Sequence, residues 1–332
     1  MQLLRKIAAP ISLIYAFVVY FRNYLFDSGF FKSQSFKTPT ICVGNLSAGG
    51  TGKTPMIEFL IYGLQSHYNV AVLSRGYGRK SKGFLVATEH STVEQLGDEP
   101  YQIYQKFPAI SLAVDGDRRN GITILEKDRR PDVILLDDAF QHRKVKPSFH
   151  ILLTAYGNLY VNDWYLPTGS LRDAKNQSKR AHIVIVTKCP KDLTKHQQIE
   201  IKKQLKLHSE QQLFFATLVY DDTLQGLNGE ITLSKLKGKK VTLVTGIASP
   251  KPLLDYLQER GIVFEHLQFS DHHFFTAEEI KIFNTKELVL TTEKDYVRLK
   301  GRVASMYYIG VKHKLLNSGK EALLQSISEK ID

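Results

Sequence analysis

Residues 41–66 contain the pattern that most narrows the possible folds of this chain. An apolar run at 41–43 leads into a glycine-rich turn at 44–55, and a helical pattern follows at 55–66. A strand, a glycine-rich turn, Lys-Thr and a helix in this order are typical of a phosphate-binding P-loop. In such loops the backbone N–H groups and the positive end of the helix surround phosphate groups. The predicted nucleotide-binding residues are Ser47, Ala48, Gly49, Gly50, Thr51, Gly52, Lys53 and Thr54.

Two side chains of this loop have distinct predicted roles. Lys53 is expected to reach the β- and γ-phosphates as a catalytic residue, and the Thr54 hydroxyl is expected to bind Mg²⁺. The strict pattern G-x-x-x-x-G-K-[ST] has glycine where this chain has Ser47. The alternative is a glycine-rich turn that precedes a lysine by chance, and the order of the surrounding elements argues against it.

Residues 131–142 contain an apolar strand that ends in acids. Asp137 and Asp138 follow it directly, as in a Walker B element, which carries a carboxylate to the Mg²⁺ beside the P-loop. An apolar strand that ends in Asp at a turn is the ordinary alternative. A second acid can also activate water, so Asp138 leaves ATP hydrolysis open. His142 is a candidate substrate-binding residue, although a structural role is equally open.

Two basic segments also follow predicted strands. The loop at 74–79 carries Arg75 and Tyr77 among glycines, and the segment at 115–119 carries Arg118. Arginines at this edge of a sheet can bind an anionic substrate or compensate charge during phosphate transfer. Arg75, Tyr77 and Arg118 are therefore candidate substrate-binding residues, with an exposed turn as the alternative for the 74–79 loop.

Asp98 and His272 are the candidates for proton transfer. Asp98 opens a predicted helix in Gly-Asp-Glu-Pro at 97–100, where it is either a helix cap or a general base for an attacking hydroxyl. His272 lies in Ser-Asp-His-His-Phe at 270–274. Adjacent histidines diverge, so a single histidine that assists a carboxylate is favoured over a metal site.

Short apolar runs alternate with helical patterns along the rest of the chain. This alternation predicts an α/β fold: a P-loop NTPase-like, mostly parallel sheet with helices on both faces, and a second, smaller α/β domain. The predicted domains are an N-terminal aromatic helix at 1–32, a kinase core at 33–206, a connector at 207–235, and a smaller domain with a C-terminal helix at 236–332.

The N-terminus and the net charge both indicate an anionic surface as partner. The stretch at 7–21 carries no charge and is rich in aromatic residues, and basic residues flank it. Fifteen helical residues span about 23 Å, less than a bilayer core, so an interfacial helix is favoured over a spanning one, with a buried core helix as the alternative. The net charge of +12 fits nucleic acid, anionic lipid or a phosphorylated substrate, or simply a solvated basic surface. The two cysteines, Cys42 and Cys189, are too few for a metal cluster and indicate buried thiols.

Taken together, these segments resemble one family, tetraacyldisaccharide 4'-kinase, the lipid A 4'-kinase of Gram-negative bacteria. The order and spacing of the segments make the resemblance specific, and it covers nearly the whole chain. The family also tolerates a residue other than glycine at the position of Ser47. Two departures are Ala139, where the family more often has glycine, and Asp173, where it has a longer carboxylate. The matching segments are the N-terminal helix, 44–55, 74–79, 97–100, 136–142, 166–173, 271–273 and 291–295.

The resemblance implies an ATP- and Mg²⁺-dependent transfer of phosphate to the 4'-hydroxyl of a membrane-borne acylated glucosamine disaccharide. It implies that Asp98 is the base and His272 its partner, and that Asp137 and Asp138 serve Mg²⁺. The expected partners are the lipid A disaccharide precursor and the anionic inner-membrane surface, on the cytoplasmic side. A monomer without nucleic acid is expected. The alternative is a P-loop ATPase that acts on nucleic acid or another anionic partner.

Overall fold

The computed structural model describes residues 2–227 and 229–331. Their strands, in chain order, are β1 (Thr40–Asn45), β2 (Val70–Ser74), β3 (Leu85–Val86), β4 (Ser111–Val114), β5 (Val133–Asp137), β6 (Phe149–Ala155), β7 (Ile183–Thr187), β8 (Gln212–Tyr220), β9 (Thr223–Gly226), β10 (Gly229–Thr232), β11 (Val241–Thr245), β12 (Phe264–Gln268), β13 (Leu288–Thr292), β14 (Met306–Ile309) and β15 (Val311–Leu315). The α-helices are α1 (Gln2–Asp27), α2 (Lys53–Leu64), α3 (Val93–Leu96), α4 (Asp98–Lys106), α5 (Arg118–Asp128), α6 (Lys195–Leu205), α7 (Lys251–Glu259), α8 (Ala277–Asn284), α9 (Glu293–Leu299) and α10 (Gly319–Ser328).

The larger sheet has nine strands in the order β15-β8-β7-β6-β1-β5-β2-β4-β3. The strands from β8 to β4 run parallel to their neighbours, and β15 and β3 pair antiparallel at the two edges. Successive side chains of β1 point to opposite faces of the sheet. Ile41 and Val43 pack with α2 and α10, whereas Cys42 packs with α5 and α6. Both faces are therefore covered by helices, and the predicted mostly parallel α/β fold is confirmed.

The smaller sheet has six strands in the order β10-β9-β14-β13-β11-β12. Its central strands are parallel, and β9 and β10 add an antiparallel edge. Helix α7 packs on one face through Leu253 and Leu257, and α8 and α9 pack on the other through Phe283 and Leu299. The predicted second α/β unit is therefore present.

The chain passes between the two sheets twice, and both crossings differ from the predicted boundaries. The predicted connector at 207–235 contains β8, which extends the larger sheet beyond β7. After the smaller sheet, β15 pairs with β8, and α10 packs beside α2. Only residues 221–222 and Gly310 separate the strands of one sheet from those of the other. The C-terminal strand and helix thus belong to the larger unit.

Helix α1 is longer than the apolar stretch that predicted it, because it continues through Arg22 to Asp27. A helix of 26 residues is about 39 Å long, compared with about 23 Å for the fifteen residues from which an interfacial helix was predicted. The segment Ala9–Asp27 is long and apolar enough to cross a membrane, judged by length and composition alone. One side of it is buried against the protein at Ser12, Val19 and Asn23.

Candidate active site

The P-loop connects the end of β1 to the start of α2 at the carboxyl edge of the larger sheet. Gly49 and Gly52 both have positive φ, 109° and 82°, a backbone region that favours glycine. The Asn45 side-chain amide donates to the Thr51 hydroxyl at 2.8 Å, and the Thr187 hydroxyl donates to the Thr51 carbonyl at 2.8 Å. The first turn of α2 has backbone N–H groups without helical partners, and these face the loop. The loop thus has the shape and polarity needed to bind phosphate.

The structure explains the serine at position 47. The Ser47 hydroxyl donates to Asp163 Oδ2 at 2.8 Å, and the Ala48 N–H donates to the Ser170 carbonyl at 2.6 Å. Ser170 also donates to Asp163. The segment at 163–172 therefore supports the outer side of the P-loop, and the serine contributes a hydrogen bond that a glycine does not.

Asp137 is the buried acid of the site. It is 2% exposed, accepts a hydrogen bond from the Ser74 hydroxyl at 2.9 Å, and has its other oxygen, Oδ1, buried without a hydrogen-bond partner. Burial, together with the nearby charges of Glu99 and Asp138, raises the pKa of Asp137 to about 7. A buried carboxylate oxygen without a partner is the environment that a hard cation such as Mg²⁺ fits.

Asp138 has a different environment although it is the next residue. Its backbone has a positive φ of 47°, and its carboxylate forms a bidentate ion pair with Arg172. Lys53 Nζ lies 3.8 Å from Asp138 Oδ1. Burial raises the pKa of Asp138, but Arg172 and Lys53 outweigh that effect and hold it below its ordinary value. The two acids therefore differ in charge state, which a sequence pattern of adjacent acids does not reveal.

Arg118 and His142 lie beside these acids. The Arg118 guanidinium is buried and donates to the Asp115 carbonyl at 3.1 Å and to the Asp137 carbonyl at 3.3 Å. Burial lowers the pKa of His142 to about 4, and Arg118 adds to this effect, so the imidazole is neutral at pH 7. His142 Nε2 is buried without a hydrogen-bond partner and lies 3.9 Å from Asp117 Oδ1.

Asp98 and His272 meet across the two units. Asp98 is the first residue of α4, with Gly97 as the helix cap, so its side chain does not cap the helix itself. His272 Nδ1 lies 3.0 Å from Asp98 Oδ2. Arg298 of α9 binds both Asp98 oxygens, and Lys294 Nζ lies 3.1 Å from His272 Nε2. Burial raises the pKa of Asp98, but the hydrogen bonds from Arg298 and His272 outweigh it, and the pKa lies below its ordinary value.

The basic loop at 74–79 lies next to the Asp98–His272 pair. Gly76 and Gly97 have positive φ and pack so closely that a Cβ on Gly97 would lie 2.8 Å from the Tyr77 carbonyl oxygen. Tyr77 is 74% exposed, and its ring centroid lies 5.7 Å from that of His272. Arg75 is exposed beside it.

One cleft of about 1630 Å³ brings the predicted residues together. Its volume exceeds the range of about 300–1,000 Å³ that is usual for a single small ligand, so it has room for two substrates. Ser47 lines a smaller adjoining pocket. The predicted residues that line the cleft are Ala48, Gly49, Gly50, Thr51, Gly52, Lys53, Thr54, Arg75, Tyr77, Asp98, Arg118, Asp137, Asp138, His142 and His272.

Several residues of the site were not predicted. Arg172 binds Asp138 and the Asn45 side chain, and the Ser74 hydroxyl binds Asp137. His313 Nε2 lies 2.9 Å from the Gly52 carbonyl oxygen, and burial lowers the pKa of His313 to about 4, so it is a neutral donor to the P-loop. Arg172 lies in the segment at 166–173, which is one of the segments that resemble the family. His313 lies in no motif that the sequence pattern indicates.

A P-loop, an acid that ends the neighbouring strand, and a carboxylate–histidine pair across the cleft together define a P-loop phosphotransferase. Comparison with known proteins identifies the family. The model of the tetraacyldisaccharide-1-P 4'-kinase family matches residues 4–331, so the chain belongs to this family.

Curated relatives and a solved structure agree with this assignment. The chain is 48% identical over 341 residues to the tetraacyldisaccharide 4'-kinase of Flavobacterium johnsoniae, with all of both chains covered. It is 47% identical over 310 residues to that of Bacteroides thetaiotaomicron, with 87% of this chain and 82% of the relative covered. The crystal structure of LpxK from Aquifex aeolicus in complex with ATP superposes with a TM-score of 0.82 at 31% identity, over 99% of this chain and 100% of that one.

Proposed function

We propose that this chain is an ATP-dependent kinase of lipid A biosynthesis that transfers the γ-phosphate to the 4'-hydroxyl of a tetraacyl glucosamine disaccharide 1-phosphate. The observation that carries the proposal is the Asp98–His272 pair, with 3.0 Å between carboxylate and imidazole, in the same cleft as the P-loop. Membership of the family supports the choice of acceptor.

ATP is held by the P-loop in this proposal. The triphosphate lies along residues 47–54, with the backbone N–H groups and the α2 N-terminus directed at its oxygens. Lys53 Nζ, which contacts Asp138 at 3.8 Å, shifts toward the γ-phosphate when ATP enters. Its positive charge stabilises the charge on the transferring group.

Thr54 and Asp137 are the residues that would hold Mg²⁺, with Asp138 beside them. The unpartnered buried oxygen of Asp137 and the hydroxyl at the start of α2 supply hard oxygen ligands. No group of three or more His, Cys, Asp or Glu side chains in the described part of the chain is arranged to hold a metal ion. Mg²⁺ usually keeps few protein ligands and completes its shell with phosphate oxygens and water. Held by these residues, it would supply charge neutralisation on the phosphates.

Asp98 accepts the proton of the acceptor hydroxyl in this mechanism. Its low pKa makes it ionised at neutral pH, as a base must be before it acts. Phosphoryl transfer through a loose transition state depends more on the position of the hydroxyl than on strong proton abstraction. His272 holds the carboxylate in place and stabilises it through Nδ1.

The acceptor approaches from the open side of the cleft. Arg75 and Tyr77 lie exposed at that side and are proposed to bind the disaccharide headgroup, with Arg118 and His142 deeper beside the acids. Helix α1 keeps the enzyme on the cytoplasmic face of the inner membrane, where the lipid substrate remains. The enzyme acts as a monomer, and its excess of basic residues favours anionic lipid over nucleic acid as partner.

The experiment that tests the proposal separates ATP binding from transfer. Asp98→Asn keeps the size of the side chain and a hydrogen-bond acceptor but removes the base. We expect transfer to fall about 100-fold or more, while ATP affinity, measured by calorimetry, stays within about twofold because Asp98 does not belong to the P-loop. Transfer at the wild-type rate in this variant would show that Asp98 is not the base.

A further inference from the structure

The segment Thr-Thr-Glu-Lys-Asp at 291–295 has no role in the proposed transfer mechanism. It ends β13 and forms the first turn of α9, with the Thr292 hydroxyl as the cap. Asp295 is completely buried and accepts the Gly246 N–H at 2.9 Å. The start of α9 is therefore fixed firmly to the smaller sheet.

Arg298 lies one turn further along α9 and contacts Asp98, the proposed base. Its Nε donates to Asp98 Oδ1 at 3.0 Å and its Nη2 donates to Asp98 Oδ2, so the guanidinium binds both oxygens side by side. Its Nη1 donates to Asp295 Oδ1 and to the His273 carbonyl, each at 3.3 Å. The Arg298 side chain is only 3% exposed. A buried arginine with hydrogen bonds from all three of its nitrogens is held in essentially one orientation relative to the carboxylate.

Lys294 from the same turn contacts the histidine from the other side of its ring. Its ammonium group only donates hydrogen bonds, and it lies 3.1 Å from His272 Nε2. His272 Nδ1 lies 3.0 Å from Asp98 Oδ2 and 3.2 Å from Arg298 Nη2. Both Asp98 oxygens are thus bound by donors of the smaller unit.

We propose that Arg298 is a positioning residue for phosphate transfer, which orients the Asp98 carboxylate and keeps it ionised, and that the α9 turn exists to hold it there. The inference rests on the proposed role of Asp98 as base. Loss of Arg298 removes one positive charge and two hydrogen bonds that stabilise the ionised form of Asp98 over the protonated form. Around Asp98, the charged and titratable groups that contact His272, Lys294 or Arg298 include Tyr77, Glu99, Asp271 and Asp295.

The test compares Arg298→Gln and Arg298→Lys with a matched control, Lys300→Gln. Lys300 is also a cation of this helix segment that bonds to α4, at 2.6 Å from the Gln105 side chain, but it is exposed and does not touch Asp98. The measured quantity is kcat/KM for the lipid acceptor from pH 5 to pH 8, with saturating ATP and Mg²⁺.

We expect Arg298→Gln to lose activity in a pH-dependent way. Its acid limb moves upward by about one pH unit or more, because an adjacent arginine typically lowers a carboxyl pKa by about one to three units. The ratio of its kcat/KM to that of the wild type therefore falls as the pH falls from 7 to 5. Arg298→Lys keeps the charge but not the paired geometry, so its pH profile stays near that of the wild type while kcat falls by about tenfold or more. Lys300→Gln matches the wild type.

A constant ratio of Arg298→Gln to wild type across this pH range, with kcat no lower than in Lys300→Gln, would overturn the inference. Melting temperatures identify a variant that fails to fold, and in that case the kcat of Arg298→Lys decides the question. Asp98→Asn in the same series keeps the two proposals distinct. If it retains transfer, the assignment of the base is wrong, whatever Arg298 does.

Discussion

Asp137 is a buried acid with a strongly raised pKa, and the proposed mechanism gives it a role. Asp137 is buried at the end of a central strand, near Glu99 and Asp138, and its pKa rises to about 7. A carboxylate whose burial outweighs the effect of a nearby cation, here Lys53, destabilises the folded chain. Functional sites commonly hold such groups because a ligand compensates them, and in the proposed mechanism that ligand is Mg²⁺ with nucleotide.

Asp137→Asn should therefore stabilise the free protein while it abolishes transfer. The folded pKa is about 7 and the unfolded pKa about 4, so the wild type loses stability as the pH rises from about 4 to about 7. Asparagine does not ionise, and it still accepts the Ser74 hydrogen bond. The difference in unfolding free energy between variant and wild type should grow across this window, on the order of a few kcal/mol, and then level off.

Denaturant unfolding in EDTA, without nucleotide, measures this difference. Asp128→Asn is the control, because Asp128 is an exposed acid at the end of α5. A difference that is the same at pH 5 and pH 8 would contradict the raised pKa of Asp137.

The sequence predicts the site residues that lie in local patterns, but not those whose position depends on contacts between distant parts of the chain. The P-loop, Asp137 and the Asp98 segment each have characteristic neighbours in the chain. Arg298 has none, because its partner Asp98 is 200 residues away and only the packing of α4 on α9 brings them together. The same holds for His313 and the P-loop.

The two faces of helix α1 have different surroundings, and one of them packs against the rest of the protein. Ser12 bonds to Thr168 at 2.7 Å, Asn23 bonds to Asp173 at 2.7 Å, and Arg22 donates to the Gln141 carbonyl at 2.5 Å. The shorter carboxylate at Asp173 is thus buried in a helix contact. These contacts extend along most of the helix and favour a helix that lies along the protein over one that leaves it to span a bilayer.

The opposite face of α1 is apolar and exposed. The exposed large hydrophobic residues of α1 are Ile11, Leu13, Ile14, Phe17, Val18, Tyr20, Phe21 and Tyr24, and Phe30 and Phe31 follow just after the helix. An apolar face of this kind beside basic residues is suited to the membrane interface. The sequence predicted an aromatic, interfacial helix but not its full length, because Arg22 interrupts the apolar run.

Replacing Phe17 and Phe21 with Ser should release the protein from membranes. Their rings are stacked 6.3 Å apart on the exposed face, and each buried phenyl ring contributes about 1.5–3 kcal/mol. We expect binding to anionic phospholipid vesicles, measured by sedimentation, to fall about tenfold or more, with no change in melting temperature. Val263→Ser is the control, since Val263 is 83% exposed on the smaller unit. Equal vesicle binding by the double variant would show that this face is not the membrane contact.

Strands β8 and β15 show why the two sheets do not follow the predicted domain boundaries. The burial of β8 is mixed along its length, and only its three central residues are buried, unlike the fully buried central parallel strands. Its antiparallel partner β15 lies about 90 residues later in the chain, across the whole smaller sheet. No local pattern indicates such a pairing.

Residues of both units line the cleft. The larger unit supplies the P-loop, Asp137 and Asp98, and the smaller unit supplies His272 and Arg298. The contact between the units thus includes the proposed base and its proposed partners, beside the Lys106–Glu293 ion pair. In the proposed mechanism, a cleft with walls from both units keeps water away from the transfer step.

The most direct test of the proposed function is transfer from ATP labelled in the γ-phosphate to tetraacyldisaccharide 1-phosphate in detergent micelles. A 4'-kinase is expected to place one labelled phosphate on the 4'-hydroxyl of the lipid for each ATP consumed, located by mass spectrometry, and none with Lys53→Ala. Label found only in inorganic phosphate, with the lipid unchanged, would contradict it.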